Sequence, residues 1–336
     1  MDAETGDWST TEVRTLLADY GRNPRDLAVA AMPEGSENRN LLIAADGERL
    51  VLRRYDATPP DEVPWELALL RFLSAKDFPT ARLVERVDGG LACTLGGRPA
   101  ALFSFVTGRH PACDAPGMVD QVAGVIARLH AVTNGLWLPQ PRSRMDSRYR
   151  LAQFQSWLRE RPSASDEPAL VSFAAQVEQF AAAFAARLAP HEAMLPRGVV
   201  HHDAHAGNLL CDEAGQIVAL LDFDDAHDTY LLADVAVLVD VWGTDQHTHR
   251  FSPMRAAGMV RAYAQHRPLG AAEWELLPDF LALYHLADVT SYVSGRVQAG
   301  VPGDQALADC NQYAKFLQHT AAPDWRDQLR AALTSQ

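Results

Sequence analysis

Apolar and polar positions along the chain follow two different spacings in turn. Residues 9–20 carry a short amphipathic helical pattern, with Ser9 as N-cap and Glu12 at the capping-box spacing, stopped by Gly21. Residues 27–31, 40–45 and 49–52 alternate as strands, the last two joined by an Asp46-Gly47 hairpin turn. Residues 61–75 return to helical spacing, with Pro64 tolerable in the first turn and Trp65, Leu69 and Phe72 on one stripe. Segments 83–87, 91–94 and 99–106 complete a strand-rich region punctuated by Asp88-Gly89-Gly90 and Gly96-Gly97. Beyond Gly108 the pattern turns helical: Met118, Val122, Val125, Ile126, Leu129 and Val132 form a buried stripe. Helices are also expected over 148–161, 171–188, 276–293 and 304–317. The predicted division is a strand-rich N-terminal lobe, 1–105, and a mainly helical C-terminal lobe, 106–336.

Residues 195–240 interrupt the helical half. Three short apolar runs, 198–200, 209–211 and 217–221, lie among acidic residues, and the last two flank a turn of Asp212, Glu213, Ala214, Gly215 and Gln216. That is a β-hairpin pattern. A hairpin brings the start of its first strand beside the end of its second, with paired strands about 5 Å apart. Asn208 immediately precedes the first strand and Asp222 immediately follows the second. An amide oxygen and a carboxylate at one open end suit Mg²⁺, which takes one or two protein ligands and completes its shell with phosphate oxygens. Asp203, on the loop that enters the hairpin, is the candidate base for a phosphoryl transfer. The expectation is a kinase-type site.

The H-x-D-x-x-x-x-N of His201, Asp203 and Asn208, followed by D-F-D at Asp222, resembles the catalytic and metal-binding segments of the aminoglycoside phosphotransferase-like kinases, a branch of the protein-kinase-like fold. L-P-R-G-V-V-H-H-D and D-T-Y-L-L-A-D-V-A look like the homoserine kinase branch. H-A-G-N-L-L with D-F-D-D-A also looks like the bacterial stress-response kinases. The resemblance implies a two-lobed α+β fold, with ATP and Mg²⁺ as cofactors. It places the loop holding Ser36 over the ATP phosphates, whereas on its own that loop, with a single glycine, reads as a plain turn. It sets Arg53 where relatives carry the phosphate-binding lysine, Val51 on the same face, and Glu66 as the partner that would aim the arginine. Outside the resemblance, Arg53 reads as an edge-strand surface arginine and Glu66 as a solvated glutamate. Phe103 and Phe105 fall in the connector whose backbone hydrogen-bonds adenine. Asp234 matches the aspartate that braces the catalytic loop, and His202 stands where the family usually has glycine. His201 is expected to orient the loop, while His130 and His205 read as packing residues. His285, Asp288 and Tyr292 line either an acceptor cleft or a buried polar seam. Asp224, Asp225 and Asp228 give the mouth a negative cast that would attract an amine-bearing acceptor.

Composition narrows the partners. The net charge of −13 over 336 residues argues against nucleic acid or an anionic membrane as a partner. Cys93, Cys113, Cys211 and Cys310 are scattered without zinc spacing and read as reduced thiols. The acidic N-terminus lacks a signal-peptide pattern. The nearest approach to a membrane span, 231–242, is interrupted by Asp234 and Asp240. A cytoplasmic protein is expected, and nothing in the pattern selects an oligomeric state. The expected activity is transfer of the ATP γ-phosphate to a small-molecule hydroxyl. Homoserine or a related amino alcohol comes first, then an aminoglycoside or other natural-product amine. A protein Ser/Thr kinase of the stress-response type is the alternative class, and a nucleotide-binding protein without catalysis is a third, with Arg53 as its one hint.

Overall fold

The computed structural model describes residues 8–32, 38–139, 142–161, 167–244, 251–321 and 325–334. Two compact units share the chain without being contiguous in it. The first takes Met1–Pro111, Leu138–Pro141 and Gly207–Asp224, and the second takes Ala112–Trp137, Arg142–Ala206 and Asp225–Gln336. A single division at 105/106 misses this return of the chain to the first unit. Its physical basis is backbone pairing that periodicity does not reveal.

The first unit opens on α1 (Thr10–Ala18), whose capping box is formed by Ser9 and Glu12 as its sequence predicts. An antiparallel sheet follows, built from β1 (Leu27–Met32), β2 (Arg39–Ala45), β3 (Glu48–Arg54), β4 (Leu83–Val84), β5 (Cys93–Leu95) and β6 (Arg98–Ser104). Its order is β1-β2-β3-β6-β4, with β5 also on β6, and α2 (Val63–Ala75) runs between β3 and β4. Period-two alternation sends Leu50 and Leu52 of β3 into a core with Leu17, Leu41, Ile43 and Leu102. Val51 and Arg53 therefore share the opposite face. Because β3 pairs with β2 on one side and β6 on the other, Arg53 is not an edge-strand residue. Nor is its neighbour a surface cation: Arg54 is buried, stacks 4.3 Å over the Trp8 ring and pairs with Asp56.

The expected hairpin is present as β8 (Leu209–Cys211) and β9 (Ile217–Leu220). Arg109 exchanges backbone hydrogen bonds with Cys211 at 2.9 and 2.8 Å, and the Leu220 N–H donates to the Pro79 carbonyl. These bonds tie the hairpin into the first unit. Gly108 lets the two backbones meet, since a Cβ there would stand 3.0 Å from the Cys211 carbonyl oxygen and closer still to Leu210.

The second unit packs α3 (Met118–Thr133), α4 (Ser147–Arg159), α5 (Pro168–Leu188), α6 (Leu232–Gly243), α7 (Pro253–His266), α8 (Ala271–Gln298), α9 (Gly303–Ala308), α10 (Asn311–Ala321) and α11 (Trp325–Thr334). Nearly every position of α6 is buried, so it is a central helix of the unit. A two-stranded ribbon, β7 (Arg197–Val200) with β10 (His227–Tyr230), flanks the loop that carries Asp203. The helix nearest to membrane-span length and composition is α5, and not 231–242. Its Leu170, Phe173, Val177, Phe184 and Leu188 form a buried stripe. None of the four cysteines forms a disulfide.

Candidate active site

At the open end of the hairpin, backbone pairing extends one step past Leu209–Leu220: the Leu221 N–H donates to the Asn208 carbonyl at 2.8 Å. Asn208, on one flank of that end, is nearly buried, and Asp222 follows on the other with its side chain 43% exposed. Asp222 adopts φ 62°, in the left-handed region that costs a non-glycine residue about 1 kcal/mol. Such strain at a carboxylate is retained where it aims the group.

Arg53 supplies a cation to this corner. Its Nη2 donates to Asp222 Oδ1 at 3.0 Å and to Asp224 Oδ2 at 2.6 Å. Asn38 Nδ2 donates to the same Asp224 Oδ2, while its Oδ1 accepts the Asp56 and Ala57 N–H groups. Two carboxylates thus converge on one positive charge. The Asn208 amide and the Asp222 carboxylate carry hard oxygen donors of the kind a divalent cation takes. Among the described residues no cluster of three or more His, Cys, Asp or Glu side chains is arranged to hold a metal. Asn208 and Asp222 would hold such a cation with phosphate oxygens completing its shell.

Glu66 is fully buried and not a solvated glutamate: its Oε1 accepts the Tyr55 hydroxyl at 3.0 Å. Burial and the Glu66 carboxylate raise the Tyr55 pKa far above its usual value, which keeps the phenol protonated and donating. The ion pairs of Arg53 go to the two aspartates, so Glu66 acts on it at longer range. Phe103 is buried in β6 opposite Val51. The Phe105 N–H donates to the Arg49 carbonyl at 3.2 Å and its ring stacks under the Arg49 guanidinium. A base could not take that N–H without breaking the strand pairing. Ser36 lies outside the described residues.

In the second unit, Asp234 holds the Asp203 loop by its backbone. Its carboxylate accepts the His201 N–H at 2.8 Å, the His202 N–H at 2.6 Å and His130 Nε2 at 2.9 Å. Burial pushes this carboxyl up, but the bonds from His130 and His201 outweigh it and hold it below the ordinary range. The Asp203 N–H donates to His201 Nδ1 at 3.2 Å, and Trp242 Nε1 donates to the Ala204 carbonyl. The Asp203 carboxylate itself is 40% exposed, with His205 Nε2 at 3.4 Å. His202 takes φ 67°, in the left-handed region that glycine adopts most readily. Its ring packs edge-on to His227 and Tyr284, and burial followed by the neighbouring His227 lowers its pKa far enough to keep it neutral.

His285 is a packing residue: fully buried, it pairs with Asp240, which also receives Lys315. Asp288, one turn along α8, is different. Its side chain is 26% exposed beside Arg150, and its carboxyl is pushed up to about 6 by burial and the Asp225 charge, against the pull of Arg150. A carboxyl raised on folding favours the folded state below its unfolded value, and that advantage disappears as the pH climbs through the raised value. Asp288→Asn, which cannot ionise, should therefore be the more stable protein near pH 8, by on the order of 1–2 kcal/mol for a partly solvated group. The gap should shrink as the pH falls through about 6 and close only below the unfolded carboxyl value of about 4; thermal melts of both proteins from about pH 8 to about pH 3 check it. Sequence reasoning set Asp288 apart only as part of a helical face, and Arg150, Tyr55 and Asn38 carried no signal of their roles.

A model of the phosphotransferase enzyme family matches residues 28–274 of this chain. The homoserine kinase of Rhodospirillum rubrum is 31% identical over 275 residues, which make up 81% of each protein. Among solved structures, a microcompartment-associated aminopropanol kinase superposes with a TM-score of 0.65 at 19% identity, over 95% of this chain and 100% of that one. Amicoumacin kinase in complex with AMP-PNP, Ca²⁺ and Ami does so with a TM-score of 0.64 at 18% identity, over 96% and 94%. The strand-rich first part and helical second part are the two-lobed α+β architecture of these neighbours.

Proposed function

This chain belongs to the phosphotransferase enzyme family and is a small-molecule kinase; we propose that it transfers the ATP γ-phosphate, with Mg²⁺, to the hydroxyl of homoserine or a related amino alcohol. The observation that carries the nucleotide half is the convergence of Asp222 and Asp224 on one cation at the open end of the hairpin, beside Asn208. Bound there by Asn208 and Asp222, Mg²⁺ would screen the charge of the transferring phosphate. Arg53, placed on the Val51 face of the central strand, binds phosphate oxygens when nucleotide enters. Its planar fork takes two oxygens where a lysine would meet them as a point charge. Asp224 and Asn38 hold the guanidinium on that face.

The second unit supplies the acceptor side. Asp203 receives or orients the proton of the acceptor hydroxyl, and Asp234 fixes the loop backbone on which Asp203 is carried. Positioning and charge screening provide most of the rate, because phosphoryl transfer asks little covalent chemistry of the protein. The homoserine kinase relative supports the acceptor, and we place the activity in the cytoplasm, where cysteines that form no disulfide are at home.

The test is steady-state ADP release with homoserine while Mg²⁺ is titrated. Wild type should fall to background when the metal is chelated. Asp222→Asn should need roughly tenfold or more Mg²⁺ to reach half-maximal rate, since one of two protein ligands has lost its charge. An unchanged Mg²⁺ requirement in that variant would remove Asp222 from the cation site. Absence of turnover with every small hydroxyl compound tried would overturn the acceptor class.

A further inference from the structure

Two arginines on α4 behave differently. Arg148 grips Asp146 with Nε at 3.0 Å and Nη2 at 2.8 Å, a tight bidentate pair that Thr229 also joins. Arg150 is suspended between two carboxylates at longer range, with Nη2 3.3 Å from Asp225 Oδ1 and Nη1 3.6 Å from Asp288 Oδ1. Its Nη2 also lies 3.4 Å from Met145 Sδ. The first arrangement is a finished structural bond. The second leaves a planar fork, 17% exposed, with neither carboxylate seated in it at hydrogen-bonding distance of the strong kind.

The surroundings are those of the acceptor side. The Tyr284 hydroxyl lies within electrostatic reach of both Asp288 and Asp203, which, after burial, raise its pKa. Asp288, Tyr284, Asp203, Asp225 and Arg150 therefore share one region of the second unit. Arg150 lies beside Asp225 and Asp288, and burial opposes the charge of Asp288. An entering cation would relieve Asp288, and an entering anion would complete the fork of Arg150.

We propose that Arg150 and Asp288 read the two charged ends of a zwitterionic acceptor, a hydroxy-α-amino acid whose carboxylate takes Arg150 and whose ammonium takes Asp288 with Asp225. A zwitterion inserted between Arg150 and the two carboxylates exchanges two long contacts for short ones at each of its ends without changing the net charge of the site. A plain amino alcohol satisfies only the carboxylates, and a hydroxy acid only the arginine. The inference rests on the kinase reading above and narrows its acceptor from amino alcohols in general to those carrying a carboxylate.

Three compounds on one skeleton test it: L-homoserine, 3-aminopropan-1-ol, which lacks the carboxylate, and 4-hydroxybutanoate, which lacks the amine. Wild type should favour homoserine over either by about 30-fold or more in kcat/KM, as expected when a buried polar partner is left unmatched. Arg150→Gln should lower kcat/KM on homoserine about 10- to 100-fold, mainly through KM, while changing 3-aminopropan-1-ol less than about threefold. Arg150→Lys should recover only part of the loss, since an ammonium lacks the fork. Asp288→Asn should show the mirror image, losing homoserine and sparing 4-hydroxybutanoate. Calorimetric titration of homoserine into enzyme with a non-hydrolysable nucleotide gives a readout independent of turnover, and melting temperatures confirm that each variant is folded. Equal use of 3-aminopropan-1-ol and homoserine by wild type, or an equal loss on both in Arg150→Gln, overturns the inference and leaves the kinase reading standing. Homoserine binding that depends on Arg150, with no phosphate transferred to any of the compounds, upholds the inference and overturns the kinase reading for them.

Discussion

Asp203→Asn should lower kcat by about 10²–10⁴-fold while the folded protein remains intact, the range over which a positioned base contributes to a proton transfer. The substitution is nearly isosteric and falls on a side chain 40% exposed to solvent. The loop beneath it is held by other groups: Asp203 contributes its own N–H to His201, and Asp234 takes the two preceding N–H groups. Stability should change by less than about 0.5 kcal/mol, as for surface positions outside the core. Steady-state kinetics beside a thermal melt separate the two effects. A variant that melts like wild type and turns over like wild type removes Asp203 as the base. A variant that loses both rate and stability assigns it a structural part instead.

Asp234→Ala should have the largest effect on stability. The carboxylate is 1% exposed and accepts from two backbone N–H groups and from His130. Removing it leaves all three buried donors without that acceptor, a loss of about 3–5 kcal/mol for a buried charged partner. Against a total of roughly 5–15 kcal/mol, that lowers the melting temperature by roughly 10 °C. Acid acts on the same group. Because its carboxyl is held below the ordinary range, the stability it contributes is complete above the unfolded value and is lost as the pH falls through the depressed folded value. Wild type should therefore lose stability in acid faster than Asp234→Asn, whose amide does not titrate; melts taken from about pH 6 down to about pH 2, through and below the unfolded carboxyl value, check this. Any residual Asp234→Ala that folds should also be slow, since the loop carrying Asp203 has lost its brace.

What the sequence disclosed was local or strongly periodic. The Ser9–Glu12 capping box, the alternation of β3 and the 209–220 hairpin each depend on residues a few positions apart, and each is present as read. Asp234 was legible through its motif, and its three bonds are those of a loop brace. What stayed hidden is non-local. The strand β10 is four residues long and its partner β7 lies before the hairpin, so neither length nor alternation marks it. Glu66 sits on a helix flank where a glutamate ordinarily meets water, and the Tyr55 hydroxyl helps make its burial tolerable. Arg150 reaches Asp288 across α4 and α8, a distance in sequence that no spacing rule covers. The expected Glu66 partner for Arg53 gave way to Asp222 and Asp224 because the returning hairpin places two carboxylates on the face where the guanidinium projects.

That return of residues 207–224 to the first unit has an engineering consequence. A chimera with a relative that swaps only the amino-terminal 111 residues would import a foreign sheet while keeping the native finger, and so would mismatch Arg53 with the aspartates it must face. The transplantable module is the sheet together with the finger, two separate stretches of gene that would have to be exchanged as one.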